Sequence, residues 1–153
     1  MESKKTQISA HTAEAFVFQA QVTGSAAVAH VYIASGSQAS SVVVGVYTSA
    51  AGHPGALLGS TTLTNAATSS WNTTVITATP LVSGTIYWIA VLPIDNKVNI
   101  EDHIQDSTWT SWFNLHGSYM AETSQNTTLN ALPAIWATGT TPTEYNVSAY
   151  LST

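Results

Sequence analysis

Apolar and polar residues alternate with a period of two along much of this chain, the spacing of a half-buried β-strand. FVFQAQV, residues 16 to 22, places Phe16, Phe18, Ala20 and Val22 on one face, with Gln19 and Gln21 opposite. AHVYIA places Val31 and Ile33 on one face and His30 and Tyr32 on the other. SVVVGVYT, residues 41 to 48, and TIYWIAVLP, ended by Pro93, are apolar on both faces and read as central strands. TVITATPL precedes the second of these, and EYNVSAYL closes the chain with Tyr145, Val147, Ala149 and Leu151 on one face. No helical period competes with these runs.

The runs are separated by SGSQAS, SAAGHPG, TNAATSSWN and a longer, more acidic stretch, DNKVNIEDHIQDS. Short strands punctuated by Gly, Pro, Asn and Ser predict an all-β fold, a single antiparallel β-sandwich spanning residues 1–153. Residues 1–14 are expected to form an N-terminal arm and residues 94–107 an acidic loop. FVFQAQV or EYNVSAYL is the edge expected to meet a neighbour, because edge strands offer unpaired backbone groups. A chain of 153 residues buries about 70% of its unfolded surface without staples.

Composition narrows the function classes. The chain has no cysteine, so disulfides, Cys-ligated metals and thiol nucleophiles are excluded. Charged residues make up 7%, against roughly 25% in an average soluble domain. There is no arginine, and the lysines are Lys4, Lys5 and Lys97. A net charge of -5 without a basic cluster leaves nothing to neutralise phosphates, so no nucleic-acid partner is expected. No apolar run reaches the ~18 residues of a membrane span, so membrane insertion is not expected either. The first residues, MESKKTQISAHTAEAF, lack the apolar core of a signal peptide. A surface built from Ser, Thr, Asn and Ala without such a peptide leads to the expectation of an extracellular or virion-surface protein.

The middle of the chain carries a resemblance. VVVGVYTSAAGHPGALLGST, WNTTVI and PLVSGTIYWIAVL, within about residues 28 to 93, resemble a pattern of bacterial and phage exterior β-sandwich modules. The resemblance implies a jelly-roll-like sandwich without catalysis, in a carbohydrate-binding, virion or surface setting. Trp71 and Trp88 lie in this segment and read as core or sheet-edge residues. Trp136, in ALPAIWATGT, reads equally as buried, contact or ligand-facing.

STWTSWFNLHGSY, residues 107 to 119, is the aromatic-rich candidate site. In an extended chain, Trp109, Phe113 and Leu115 share one face, while Trp112, Asn114 and His116 share the other. A ring flanked by an amide and an imidazole suits sugar stacking, so Trp112, Asn114, His116 and neighbouring Tyr119 are the candidate glycan ligands. Packing of Trp112 beneath the acidic loop or against a subunit is the competing reading.

Asp95, Glu101, Asp102 and Asp106 supply the oxygen ligands that Ca²⁺ takes, although their spacing matches no EF-hand. Solvated loop charge is the alternative, and no other cofactor is expected. Paired carboxylates also serve glycoside hydrolysis, but a short loop on a small sandwich offers no cleft to span. The five histidines show no metal-ligand spacing, and no nucleophile elbow, P-loop or dinucleotide fingerprint occurs. N-glycosylation sequons occur at Asn72, Asn126 and Asn146.

Two functional expectations follow from these residues. The first is a non-catalytic structural surface protein, a virion subunit such as a capsid decoration or tail protein, or another exterior assembly subunit. Its partners are copies of itself or other subunits, and sparse charge lowers the cost of burying faces between them. The second is a secreted carbohydrate-binding module with an aromatic glycan face.

Overall fold

The structure is a computed structural model that describes residues 5–102, 117, 120–141 and 147–153. Among these, ten strands form two antiparallel sheets packed as a β-sandwich. The first sheet contains β1 (Lys5–Ile8), β3 (Gly24–Ile33), β6 (Ser70–Leu81), β8 (Val98–Glu101) and β10 (Ala149–Ser152). β3 pairs with β6 along one edge, while β10 and then β8 occupy its other edge in tandem, and β1 pairs with β8.

The second sheet runs β5 (His53–Thr64), β4 (Ser41–Ala50), β7 (Ile86–Pro93), β2 (Glu14–Gln19), β9 (Ala121–Thr123). Alternation decides which side chains enter the space between the sheets. Phe16, Val42, Val44, Ile89 and Val91 from the second sheet meet Ile8, Ala29, Val31, Ile33, Val98 and Ile100 from the first.

The two strands that are apolar on both faces owe this to a third layer. Residues 124–139 lie over the outer face of the second sheet, where Leu129, Leu132 and Trp136 pack on Ala15, Val17, Tyr47, Trp88 and Ala90. This strap is tied along its length by hydrogen bonds. Leu57 N donates to Ala134 O at 2.9 Å, Trp136 N to Gly55 O at 2.9 Å, and Tyr47 Oη to Pro133 O at 2.7 Å. Burial holds the Tyr47 hydroxyl far above its ordinary pKa, so it remains a donor across the accessible pH range. Trp136 is therefore a buried residue, its ring edge-on to Tyr47 with centroids 5.3 Å apart.

Several segments differ from the sequence expectation. The stretch expected as an N-terminal arm contains β1, because Thr6 and Ile8 point inward while Lys5 and Gln7 face outward. The stretch expected as an acidic loop contains β8, whose Val98 and Ile100 are fully buried. SAAGHPG shrinks to a two-residue hairpin turn, with Ala50 opposite His53. Ala51 and Gly52 both take positive φ, 50° and 82°, as a twist-matched type I′ turn requires. Pro54 is accommodated because β5 is an outer strand. β2 ends at Gln19, so Val22, expected on a buried face, is 70% exposed.

Candidate functional site, an aromatic sheet face

Unlike the second sheet, the first has a solvent-facing outer side, and its alternation brings four rings together there. On β3, Val28, His30 and Tyr32 point away from the core while Ala29, Val31 and Ile33 enter it. On β6, Trp71, Thr73 and Val75 point outward and Asn72 and Ile76 inward. The β3–β6 register sets Tyr32 opposite Trp71, His30 opposite Thr73 and Val28 opposite Val75. From the other edge, β10 sets Tyr150 opposite His30 and Ser152 opposite Val28.

The rings contact one another in a continuous cluster. His30 and Tyr150 stack nearly parallel, with centroids 4.2 Å apart. Trp71 meets Tyr32 edge-on at 5.6 Å and Tyr150 at 5.3 Å. The two Trp71 contacts have the edge-to-face geometry favoured by aromatic pairs, each stabilising by about 0.5–1.5 kcal/mol. Trp71 is 48% and Tyr150 51% exposed, so the cluster presents large apolar surface.

Hydrogen bonding fixes the imidazole in its plane. His30 Nδ1 lies 3.1 Å from Thr73 Oγ1, and Nε2 lies 3.0 Å from Ser152 Oγ. Both ring nitrogens are thereby engaged, and the hydroxyls become the polar fringe of the face. Since Ile33 pairs with Ile100, the same register carries outward-facing Glu101 alongside Tyr32, with Lys5 across from Glu101 on β1.

The candidate glycan residues Trp112, Asn114, His116 and Tyr119 lie outside the described residues, as does Asp106 of the candidate Ca²⁺ set. The other three acidic residues are put to separate uses. Glu101 lies on the outer face of β8, whereas the next residue, Asp102, is buried and accepts a hydrogen bond from Thr6 Oγ1 at 2.6 Å. Asp95 caps the start of β4, accepting from Ser40 Oγ at 2.6 Å and from Ser41 N at 3.0 Å. No group of three His, Asp or Glu side chains among the described residues is arranged to hold a metal ion.

These bonds favour the charged form of Asp95. The Ser40 hydroxyl, then the Ser41 amide, hold its pKa near 2, below the ordinary 3.8. A depressed folded-state pKa contributes stability above the unfolded value near 3.8, and that contribution is lost as pH falls towards about 2. Asp95→Asn is accordingly expected to lower the urea midpoint slightly at pH 6. The difference from the native chain should fade between pH 4 and pH 2, and a gap that persists at pH 2 would rule out this origin.

The two other described carboxylates, Glu14 and Glu122, are also buried. Glu14 accepts from Thr123 Oγ1 at 3.3 Å. Glu122 accepts from Trp136 Nε1 and Gly139 N and pairs with His53, tying the strap to the sheet. Among the sequons, Asn72 is buried and its side chain is bonded to Ala67, whereas Asn126 is exposed.

Trp71, read as core or sheet edge, stands on the outer strand of the first sheet, half exposed beside Tyr32 and Tyr150. Trp88 is fully buried. Sequence alternation had already put His30 and Tyr32 on one face. It carried no signal that Trp71 and Tyr150, about 40 and 120 residues away, join them, because strand register supplies that contact. Comparisons of the chain with protein-family models, curated proteins and solved structures return no match.

Proposed function

We propose that this is a non-catalytic exterior protein, acting outside the cell or on a virion surface, that binds neutral glycans on the aromatic face of its first sheet. The observation that carries this reading is the cluster His30, Tyr32, Trp71 and Tyr150, held in fixed mutual geometry and exposed. Aromatic rings offer sugar C–H groups a flat apolar surface at little entropic cost, since the cluster is already ordered. Thr73, Ser152 and Glu101 at its margins supply the hydrogen-bonding groups that sugar hydroxyls need. A net charge of -5 and the absence of arginine favour neutral over acidic polysaccharides. The buried carboxylates Glu14, Asp102 and Glu122 are engaged in structural hydrogen bonds, which supports binding without hydrolysis.

A second reading keeps the exterior protein but seats another copy, or another assembly subunit, on this face. Val75, 75% exposed and opposite Val28, favours it, because aliphatic side chains suit a protein interface better than a sugar.

Affinity electrophoresis through gels containing β-glucan, xylan or mannan, with pectate and alginate as acidic controls, separates the two. Retardation by at least one neutral polymer, weakened tenfold or more in Trp71→Ala, is expected, because loss of a central aromatic contact costs about 1–2 kcal/mol or more. Asn72 and Ile76 still fill the inward positions of β6, so the variant keeps its fold. No retardation by any neutral polymer, together with a solution mass that falls in Trp71→Ala, would transfer the face to the assembly reading.

A further inference from the structure

A cavity of about 280 Å³ opens on one side of the sandwich, between β2 and β10. Its walls are Phe18, Ala20, Leu81, Ile89, Ala149 and Leu151, and among the described residues none that lines it carries a charge at neutral pH. Phe18 is braced by Tyr87, with ring centroids 5.9 Å apart, and Val22 stands exposed at the mouth. The polar side chains of the rim are Gln19, Gln21 and Tyr150. Gln19 Nε2 donates to Gly84 O at 2.9 Å, and Gln21 Nε2 donates to Gln19 O at 3.1 Å. Each amide keeps a second N–H as well as its side-chain carbonyl, and together with the Tyr150 hydroxyl they give the rim both donors and acceptors.

We infer that this cavity is a second binding site, adjoining the aromatic face at Tyr150, for a neutral aliphatic molecule bearing one hydroxyl group, of the class of medium-chain alkanols. Size, lining and rim select that class together. An engineered apolar cavity of ~150 Å³ holds benzene, so 280 Å³ takes on the order of ten non-hydrogen atoms. The lining offers an alkyl chain apolar contact and a charged group no partner. The described rim offers neutral hydrogen-bonding groups and no cation, so a hydroxyl is satisfied there while a carboxylate of equal length gives up hydration with no opposite charge to replace it.

The test is a titration of ¹³C-methyl-labelled protein with 1-octanol and, separately, with octanoate at pH 7, followed by NMR. Saturable shifts of the Leu81, Ile89 and Leu151 methyls with 1-octanol are expected, with a dissociation constant on the order of 100 µM. Octanoate should bind at least tenfold more weakly. Ala149→Leu fills the cavity and should abolish the shifts, while Gln21→Lys at this exposed rim position supplies a cation and should narrow the difference between alcohol and carboxylate without disturbing the fold. If Ala149→Leu does not fold, Ala20→Val provides the same test with a smaller added volume. The inference is overturned by an absence of saturable shifts up to the solubility of 1-octanol, by octanoate binding as tightly, or by binding that a folded cavity-filling variant leaves intact. Shifts of the same methyls with protein concentration alone would also overturn it, since a second copy would then be the occupant.

Discussion

Replacing Glu122 by Ala is expected to destabilise the protein by about 3–5 kcal/mol. Glu122 is fully buried on β9 in a molecule with very few charges. Its Oε1 accepts from Trp136 Nε1 at 2.9 Å and from Gly139 N at 3.1 Å, while Oε2 lies 2.5 Å from His53 Nδ1. One carboxylate therefore joins β5, β9 and the strap. Truncation strands donors away from water, and each unsatisfied buried donor costs about 1–3 kcal/mol.

The geometry leaves little room for compensation. A Cβ on Gly139 would lie 1.8 Å from Thr123 O, so the strap already sits against the β9 backbone without a gap. For a chain of this length, the loss corresponds to a fall in Tm of about 10 °C or more. Calorimetry checks it, with Trp136→Phe as the partial variant that removes one donor and costs less. A fall of less than about 2 °C in Glu122→Ala would show that the carboxylate does not anchor the strap.

Trp88→Ala is the second large effect, about 3–5 kcal/mol, and its origin is packing. Trp88 is completely buried on β7, with Val17 and Tyr47 as its neighbours in register on β2 and β4. It belongs to the same apolar cluster as Leu129, Leu132 and Trp136 of the strap. Removal of the indole opens a cavity beneath a layer whose own hydrogen bonds hold it in place, so collapse around the void is limited. The weak bond from Trp88 Nε1 to Ser49 Oγ, 3.3 Å long, adds little. The expected readout is a lower urea midpoint with an unchanged slope, and Trp88→Phe should recover part of the loss. Whatever fraction of either variant remains folded should keep the glycan binding proposed for the native chain, because both residues lie on the second sheet, away from the aromatic face.

How much of this was legible in the sequence depended on whether the deciding contacts were local. SVVVGVYT and TIYWIAVLP correspond to β4 and β7, and their apolar character on both faces reflected true two-sided burial. What covers the outer side was not legible. Burial of Trp136 depends on a carboxylate fourteen residues earlier and on Tyr47, and no period in ALPAIWATGT encodes either contact. β8 was concealed because Val98 and Ile100 are two apolar positions in an otherwise polar and acidic stretch. Their strand character comes from pairing with β1, near the opposite end of the chain.

The acidic residues illustrate the same limit. Glu101 and Asp102 are adjacent in sequence, which suggested a shared site, yet adjacent positions on an extended chain point to opposite sides. The structure accordingly places one on the outer face and buries the other beside Thr6. The aromatic face was half visible, since His30 and Tyr32 alternate together within a single run. Its other half arrives from β6 and β10 through register alone.

The most direct measurement is an amide and indole ¹H–¹⁵N NMR titration of the native chain with soluble oligosaccharides from β-glucan, xylan and mannan. At least one of them should shift the Trp71 indole N–H and the amides of residues 28–32, 71–75 and 149–152, in a saturable manner that does not depend on protein concentration. If none shifts these signals, or if they move with protein concentration in the absence of sugar, the outer face of the first sheet is not a glycan site.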